Sequence, residues 1–149
     1  MLKNKAAFFP LPGELDLVQI VRLKKAGFRI AVLGYFPEHS ESGCWQVGKT
    51  LKTAWGIDTL LACNHAPEEY CLCRPPKPLL ITTFMDALKL SYDESWFFAS
   101  TYETVGMGRA AKLTNVVFVP PEHGALKKAV DRVIALQAPT PAPPSLRRI

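Results

Sequence analysis

Short apolar runs of strand length alternate with stretches of helical periodicity along most of this chain, and that alternation constrains its fold more than any other feature. Ala6–Phe9 is a first strand candidate. Leu17, Ile20 and Val21 follow at helical spacing, with Lys24 and Lys25 in the last turn and Gly27 placed to cap it. Phe28–Leu33 (FRIAVL) is a buried strand. Val47, Leu51, Ala54 and Trp55 mark a helix that Gly56 ends, and Ile57–Ala62 is a third strand. Leu80, Phe84, Ala87 and Leu88 give another helical face. Then come a strand at Trp96–Ala99, a helix at Glu103–Lys112, a strand at Val116–Val119 and a helix carrying Leu126, Val130, Val133 and Ile134. Such an order predicts an α/β domain whose mainly parallel sheet is covered by helices on both faces. Ligands of such sheets sit beyond the carboxyl ends of the strands.

The third strand delivers Cys63 into the loop CNHAPEEYCLCRPPKP. There Cys63, His65, Cys71 and Cys73 read C-x-H-x5-C-x-C. Three thiolates and one imidazole so close in sequence match a tetrahedral Zn²⁺ shell, and the prolines at 75, 76 and 78 stiffen the exit. The spacing points to structural zinc, with Cys44 left free. Four cysteines, three of them in this cluster, argue against a disulfide framework and for a reducing, cytoplasmic setting. No signal peptide and no run long enough to cross a membrane is expected. A formal charge of +5 permits contact with nucleic acid without requiring it. Ala138–Ile149 carries four prolines and reads as an extended tail, so the expected organisation is one domain at 1–137, with its zinc loop at 63–78, and a tail at 138–149.

The loop resembles the zinc loop of the histidinol-phosphatase and heptose-bisphosphate-phosphatase branch of the haloacid dehalogenase (HAD) phosphatases. That branch typically reads C-P-H-H-P…C-D-C-R-K-P-K-P-G-M. Cys63, His65, Pro67, Cys71, Cys73, Arg74, Pro76, Lys77 and Pro78 match the pattern. LKKAGFRIAVL (Leu23–Leu33) and GRAAKLTNVVFV (Gly108–Val119) resemble two further family segments, and the element order fits from Phe8 to Leu136. The resemblance implies a Rossmann-like HAD fold with little or no cap. It also implies that Arg74, with Lys77, is a vestigial phosphate contact.

Four family motifs are altered. In AAFFPLPGEL, Pro10 and Pro12 stand where the resemblance places the aspartate nucleophile and the aspartate general acid, and Glu14 stands at the Thr position. Gly34 replaces the phosphate-binding Ser or Thr, and Pro75 replaces a Lys. Ser100 and Thr104 replace the carboxylates that hold Mg²⁺. Proline offers neither a nucleophile nor a proton. The expectation is therefore a pseudoenzyme without a Mg²⁺ site, acting as a scaffold or subunit that binds another protein, within a nucleic-acid or regulatory assembly. The alternatives are an enzyme, as a residual phosphatase or a nucleotide-binding protein, and a nucleic-acid-binding module. Glu103 and Lys77 are the substitute catalysts that an enzyme reading offers. Nucleotide binding rests on Gly43–Thr50 (GCWQVGKT), which spells a phosphate-binding loop but follows the polar PEHSES rather than a strand. Gly48-Lys49-Thr50 is read instead as the opening of the next helix. His39 and His123 read as surface-loop residues, and Trp45, Trp55 and Trp96 as packing residues rather than a platform for bases.

Overall fold

Each apolar run becomes a strand because it can be buried on both faces, which is the condition of a parallel sheet between helical layers. The computed structural model describes residues 3–137. Its elements are β1 (Lys5–Pro10), α1 (Leu17–Lys25), β2 (Phe28–Tyr35), α2 (Glu41–Trp55), β3 (Thr59–Cys63), α3 (Leu79–Leu88), β4 (Trp96–Ala99), α4 (Tyr102–Ala110), β5 (Asn115–Phe118) and α5 (Ala125–Gln137). The five strands lie in the order β3-β2-β1-β4-β5, and every pairing is parallel. Strand order reverses around β1, so the crevice between the carboxyl ends of β1 and β4 is the topological switch point. The fold is thus the Rossmann-like α/β sheet that the alternation predicts. The expected tail at 138–149 lies outside the described residues.

Alternate residues of the central strands feed two cores. Ala7, Phe9, Ile30, Val32 and Phe98 pack with Ile20, Leu23, Val130 and Val133 of α1 and α5 on one face. Ala6, Phe8, Ala31, Leu33 and Phe97 pack with Ile81, Met85 and Met107 of α3 and α4 on the other. Two polar side chains lock the register. Buried Ser95 accepts from the Ala6 amide at 3.0 Å and donates to the Ser91 carbonyl at 2.7 Å, tying β4 to β1. Asp58 accepts from the Ile30 amide at 2.8 Å, supplying a partner one position before β3 begins.

The helix caps follow the sequence signals closely. Asp16 caps α1 by accepting from the Val18 and Gln19 amides, and Gly56 closes α2 in the left-handed conformation at φ 70°. Two expectations need correction. The buried face of α3 is Ile81 and Met85, with Leu80 and Phe84 beside it, while Ala87 and Leu88 face outward. The helix before Gly56 does not open at Gly48. It opens at Glu41, where Ser40 accepts from the Gly43 amide at 3.1 Å. A favourable N-cap and a run of tolerant residues extend it by two turns.

Candidate functional site

Both sequence-derived sites lie at the carboxyl edge of the sheet, but at different strands. At the β3 end, Cys63 is the last strand residue and is buried. The chain turns through a 3₁₀ segment at Pro67–Glu69, passes Tyr70 in the left-handed region at φ 49°, and returns Cys71 and Cys73 beneath it. Glu69 accepts from the Ala66 amide, and Lys77 Nζ donates to the Cys71 carbonyl at 2.8 Å, holding the return arm. The four candidate ligand atoms lie within 4.8 Å of one another. Cys63 Sγ is 3.5 Å from Cys71 Sγ, from Cys73 Sγ and from His65 Nδ1, and Cys73 Sγ is 3.2 Å from His65 Nδ1.

Those separations discriminate between two chemistries. A disulfide needs sulfurs about 2.05 Å apart. Zinc–sulfur bonds of about 2.3 Å at tetrahedral angles put the sulfurs about 3.8 Å apart. The cluster is therefore close to a metal shell and far from a bridge, and all four cysteines are free. The metal-free thiols also differ in acidity. Burial pushes Cys63 up to about 12, opposed by a backbone hydrogen bond at His65 and reinforced by its thiol neighbours. Desolvation also acts to raise Cys71, but hydrogen bonds from Cys63, Cys73 and the Arg74 and Cys73 backbone outweigh it and bring it down to about 7. Cys63, His65, Cys71 and Cys73 could thus hold one zinc ion, while Cys44 stands apart on α2.

At the switch point the family positions are occupied in a different way. Pro10 ends β1, buried and paired with Leu33. A Cβ on Gly13 would come within 2.5 Å of the Pro10 carbonyl oxygen, so the turn after β1 closes only with glycine there. Ser100 Oγ donates to the Pro12 carbonyl at 3.0 Å, fastening this turn to the end of β4. Thr104 Oγ1 accepts from the Ser100 and Thr101 amides at 3.0 and 2.9 Å and donates to the Thr101 carbonyl. Both hydroxyls are committed to the backbone. A Cβ on Gly34 would stand 2.5 Å from the Phe36 ring, so that ring covers the place of the phosphate-binding hydroxyl.

A cavity of about 480 Å³ nevertheless opens beside these turns. Its walls come from the end of β1, the turn at Pro12–Glu14, the end of β4 through Thr101, and the loop Val119–His123 after β5. Its ionisable side chains are Glu14, Glu122 and His123. Sequence reasoning did not assemble this set. It saw Glu14 as a replaced Thr and His123 as a surface residue, which it is by exposure. The available signal was position, since PPEHG directly follows the strand Val116–Val119, where such folds place ligand contacts. Arg74, Lys77 and Glu103 are not among the residues lining the cavity, and Lys77 is directed to the Cys71 carbonyl instead.

The competing nucleotide motif is excluded by geometry. Gly43–Thr50 lies wholly inside α2, so its amides are used by the helix and cannot wrap a phosphate. Lys49 Nζ instead sits 4.6 Å from the centre of the Trp45 ring. Trp45 is 61% exposed, against the expectation of packing, whereas Trp96 is buried. His39 lies in an exposed loop with its ring edge-on to Phe36.

No family model matches the chain. It is 27% identical over 106 residues to the D-glycero-beta-D-manno-heptose-1,7-bisphosphate 7-phosphatase of Pseudomonas putida, covering 64% of this chain and 59% of that protein. It is 29% identical over 87 residues to the histidine biosynthesis bifunctional protein HisB of Legionella pneumophila, covering 52% of this chain and 25% of that one. The chain thus matches less than two thirds of the length of these curated relatives. Among solved structures, the D,D-heptose 1.7-bisphosphate phosphatase from B. bronchiseptica, crystallised with magnesium and phosphate, superposes with a TM-score of 0.68 at 12% identity. The superposition covers 89% of this chain and 99% of that one. A putative HAD-like phosphatase from Mesorhizobium loti also gives 0.68, at 16% identity, over 93% and 89%.

The fold is accordingly HAD-like, and the curated relatives include heptose-bisphosphate phosphatases. They overturn the expectation of a pseudoenzyme, because the relatives with a named activity are phosphatases. That expectation weighed Glu103 and Lys77 as substitutes, and neither lines the cavity, whose ionisable groups are Glu14, Glu122 and His123. The expected absence of Mg²⁺ likewise runs against a structural neighbour crystallised with magnesium. Among the described residues, no helix is long and apolar enough to cross a membrane.

Proposed function

We propose that the chain is a phosphomonoester hydrolase whose chemistry takes place in the cavity at the β1/β4 switch point. The observation that supports this reading most is that cavity, with Glu14, Glu122 and His123 in its walls at the place where a sheet of this topology receives ligands. Pro10 and Pro12 leave no aspartate to attack phosphorus, so the nucleophile is water. His123 takes the proton of that water as it adds to phosphorus. The ester P–O bond breaks, and the same imidazolium returns the proton to the departing oxygen.

Glu14 and Glu122 carry the hard, charged oxygens that would hold Mg²⁺ here, although among the described residues they and His123 do not gather into a cluster of metal ligands; the Ser100 and Thr104 hydroxyls are already bonded. When bound, Mg²⁺ supplies neutralisation of the phosphoryl oxygens. Ser100 keeps the Pro12–Glu14 turn against β4 and so fixes where the Glu14 backbone stands.

In the same reading Cys63, His65, Cys71 and Cys73 hold one Zn²⁺ in a closed structural site. The protein fills all four positions and leaves none for water. The direct test of the hydrolase is release of inorganic phosphate from a panel of phosphomonoesters, with and without Mg²⁺. Turnover that requires Mg²⁺ and saturates with substrate is expected. No release above the buffer blank from any ester, with correctly folded and zinc-loaded protein, contradicts the reading.

A further inference from the structure

The walls of the cavity are of a kind that its acid–base groups do not account for. Phe9, Phe98 and Leu126 reach its bottom from the core, almost wholly buried, and the half-buried Val119 is the apolar side chain nearer its mouth. Prolines from the loops after β1 and β5 make up much of the rest. The chain has 18 lysines and arginines, yet among the described residues none lines this cavity. The carboxylates there are those of Glu14 and Glu122.

A second phosphate on the substrate would need its own cation or cluster of N–H donors, and these walls offer neither. A polyhydroxylated body would find partners only at Glu14, Ser100, Thr101, Glu122 and His123, and would lose water against valine and proline elsewhere. A flat apolar body, in contrast, gains by displacing water from such a surface. We propose, building on the hydrolase reading above, that the esters accepted here carry a single phosphate on an uncharged, flat apolar body, with aryl monophosphates as the type. Val119 and the prolines at 12, 120 and 121 set that preference. Hydrolysis then consumes one water and yields the aryl alcohol and inorganic phosphate. This separates the chain from the bisphosphate in the names of its relatives.

Two independent readouts test the inference on the full chain. The first compares kcat/KM for 2-naphthyl phosphate and for a hexose 1,6-bisphosphate in Mg²⁺. A preference of at least about ten-fold for the aryl ester is expected, equivalent to about 1.4 kcal/mol. Pro121→Lys, which puts a cation on an exposed part of the wall, should narrow that ratio. The second uses 2-naphthol, which has no phosphate, and follows backbone amide resonances. Shifts concentrated at Ser100, Thr101 and Val119, and absent from α2, are expected. Naphthol that binds there while no ester turns over upholds the apolar site and sinks the hydrolase reading. A bisphosphate processed as well as the aryl ester, or naphthol that leaves those amides unmoved, overturns the inference.

Discussion

At the β3 end of the sheet, four ligand side chains converge from a single loop between Cys63 and Cys73, and each of them stands at a Cys or His position of the heptose-phosphatase pattern. At the β1/β4 switch point, the polar groups come from positions 14, 100, 122 and 123; 14 and 100 are motif positions with a changed residue, and 122 and 123 are not motif positions. The first region is local. Its geometry is set by the spacing of a few residues and by one carbonyl held by Lys77. The second is assembled by topology, because β1, β4 and β5 must pair before Glu14 and His123 share a cavity. Residues can be lost from the second region without disturbing the first, since no side chain is common to both.

The sharpest way to break this comparison is to remove the metal shell. Cys63→Ser should lower bound zinc from one equivalent per chain to near zero, read by metal analysis of protein purified without added zinc. Apparent zinc-binding energies in small zinc domains reach about 10–16 kcal/mol. Here the loop is appended to two cores that stand without it, so the fall in global stability should be smaller and should leave the far-UV spectrum largely intact.

Next in size is the cavity itself. His123→Ala should reduce kcat/KM by about 10²–10⁴, the usual contribution of a positioned acid–base group, with zinc content unchanged. The pH profile of kcat should lose one limb in the same variant.

How much of each region the sequence reveals follows from that contrast. The helix and strand order is legible because apolar runs and capping signals such as Gly27 and Gly56 act locally. The zinc loop is legible for the same reason. The cavity is not, because Glu122 and His123 are exposed loop residues whose significance lies only in what β4 and the Pro12–Glu14 turn bring beside them. The phosphate-loop motif in α2 shows the converse. Its letters are local, but Ser40 starts a helix through them and removes the conformation the motif needs.

A smaller effect tests the packing at the switch point. Gly13→Ala would force a methyl group toward the Pro10 carbonyl oxygen, a backbone atom that cannot rotate away. Crowding of this kind costs about 1–3 kcal/mol, read as a lower denaturant midpoint. The equivalent change at exposed Gly106, with nothing within 4 Å of the added Cβ, should not lower the midpoint.

The smallest expected effect lies outside both regions. Asp131 bridges Arg22 at 2.7 Å and Lys127 at 3.0 Å, and hydrogen bonds from Lys127 and Arg22 hold its carboxyl below the usual value of 3.8. A depressed carboxyl stabilises the fold above its unfolded pKa, and that contribution is lost as the pH falls through the folded one. The difference in thermal midpoint between wild type and Asp131→Asn should therefore be small at pH 7 and shrink as the pH falls below 3.8.

The separation of the two regions is tested most directly by a crossed measurement of zinc content and Mg²⁺-dependent phosphate release on wild type, Cys71→Ser and His123→Ala. His123→Ala should keep one zinc per chain and lose turnover, while Cys71→Ser should lose zinc and retain a measurable share of turnover. Wild-type turnover in His123→Ala, or turnover that disappears in step with zinc, would contradict the assignment of chemistry to the cavity and structure to the metal loop.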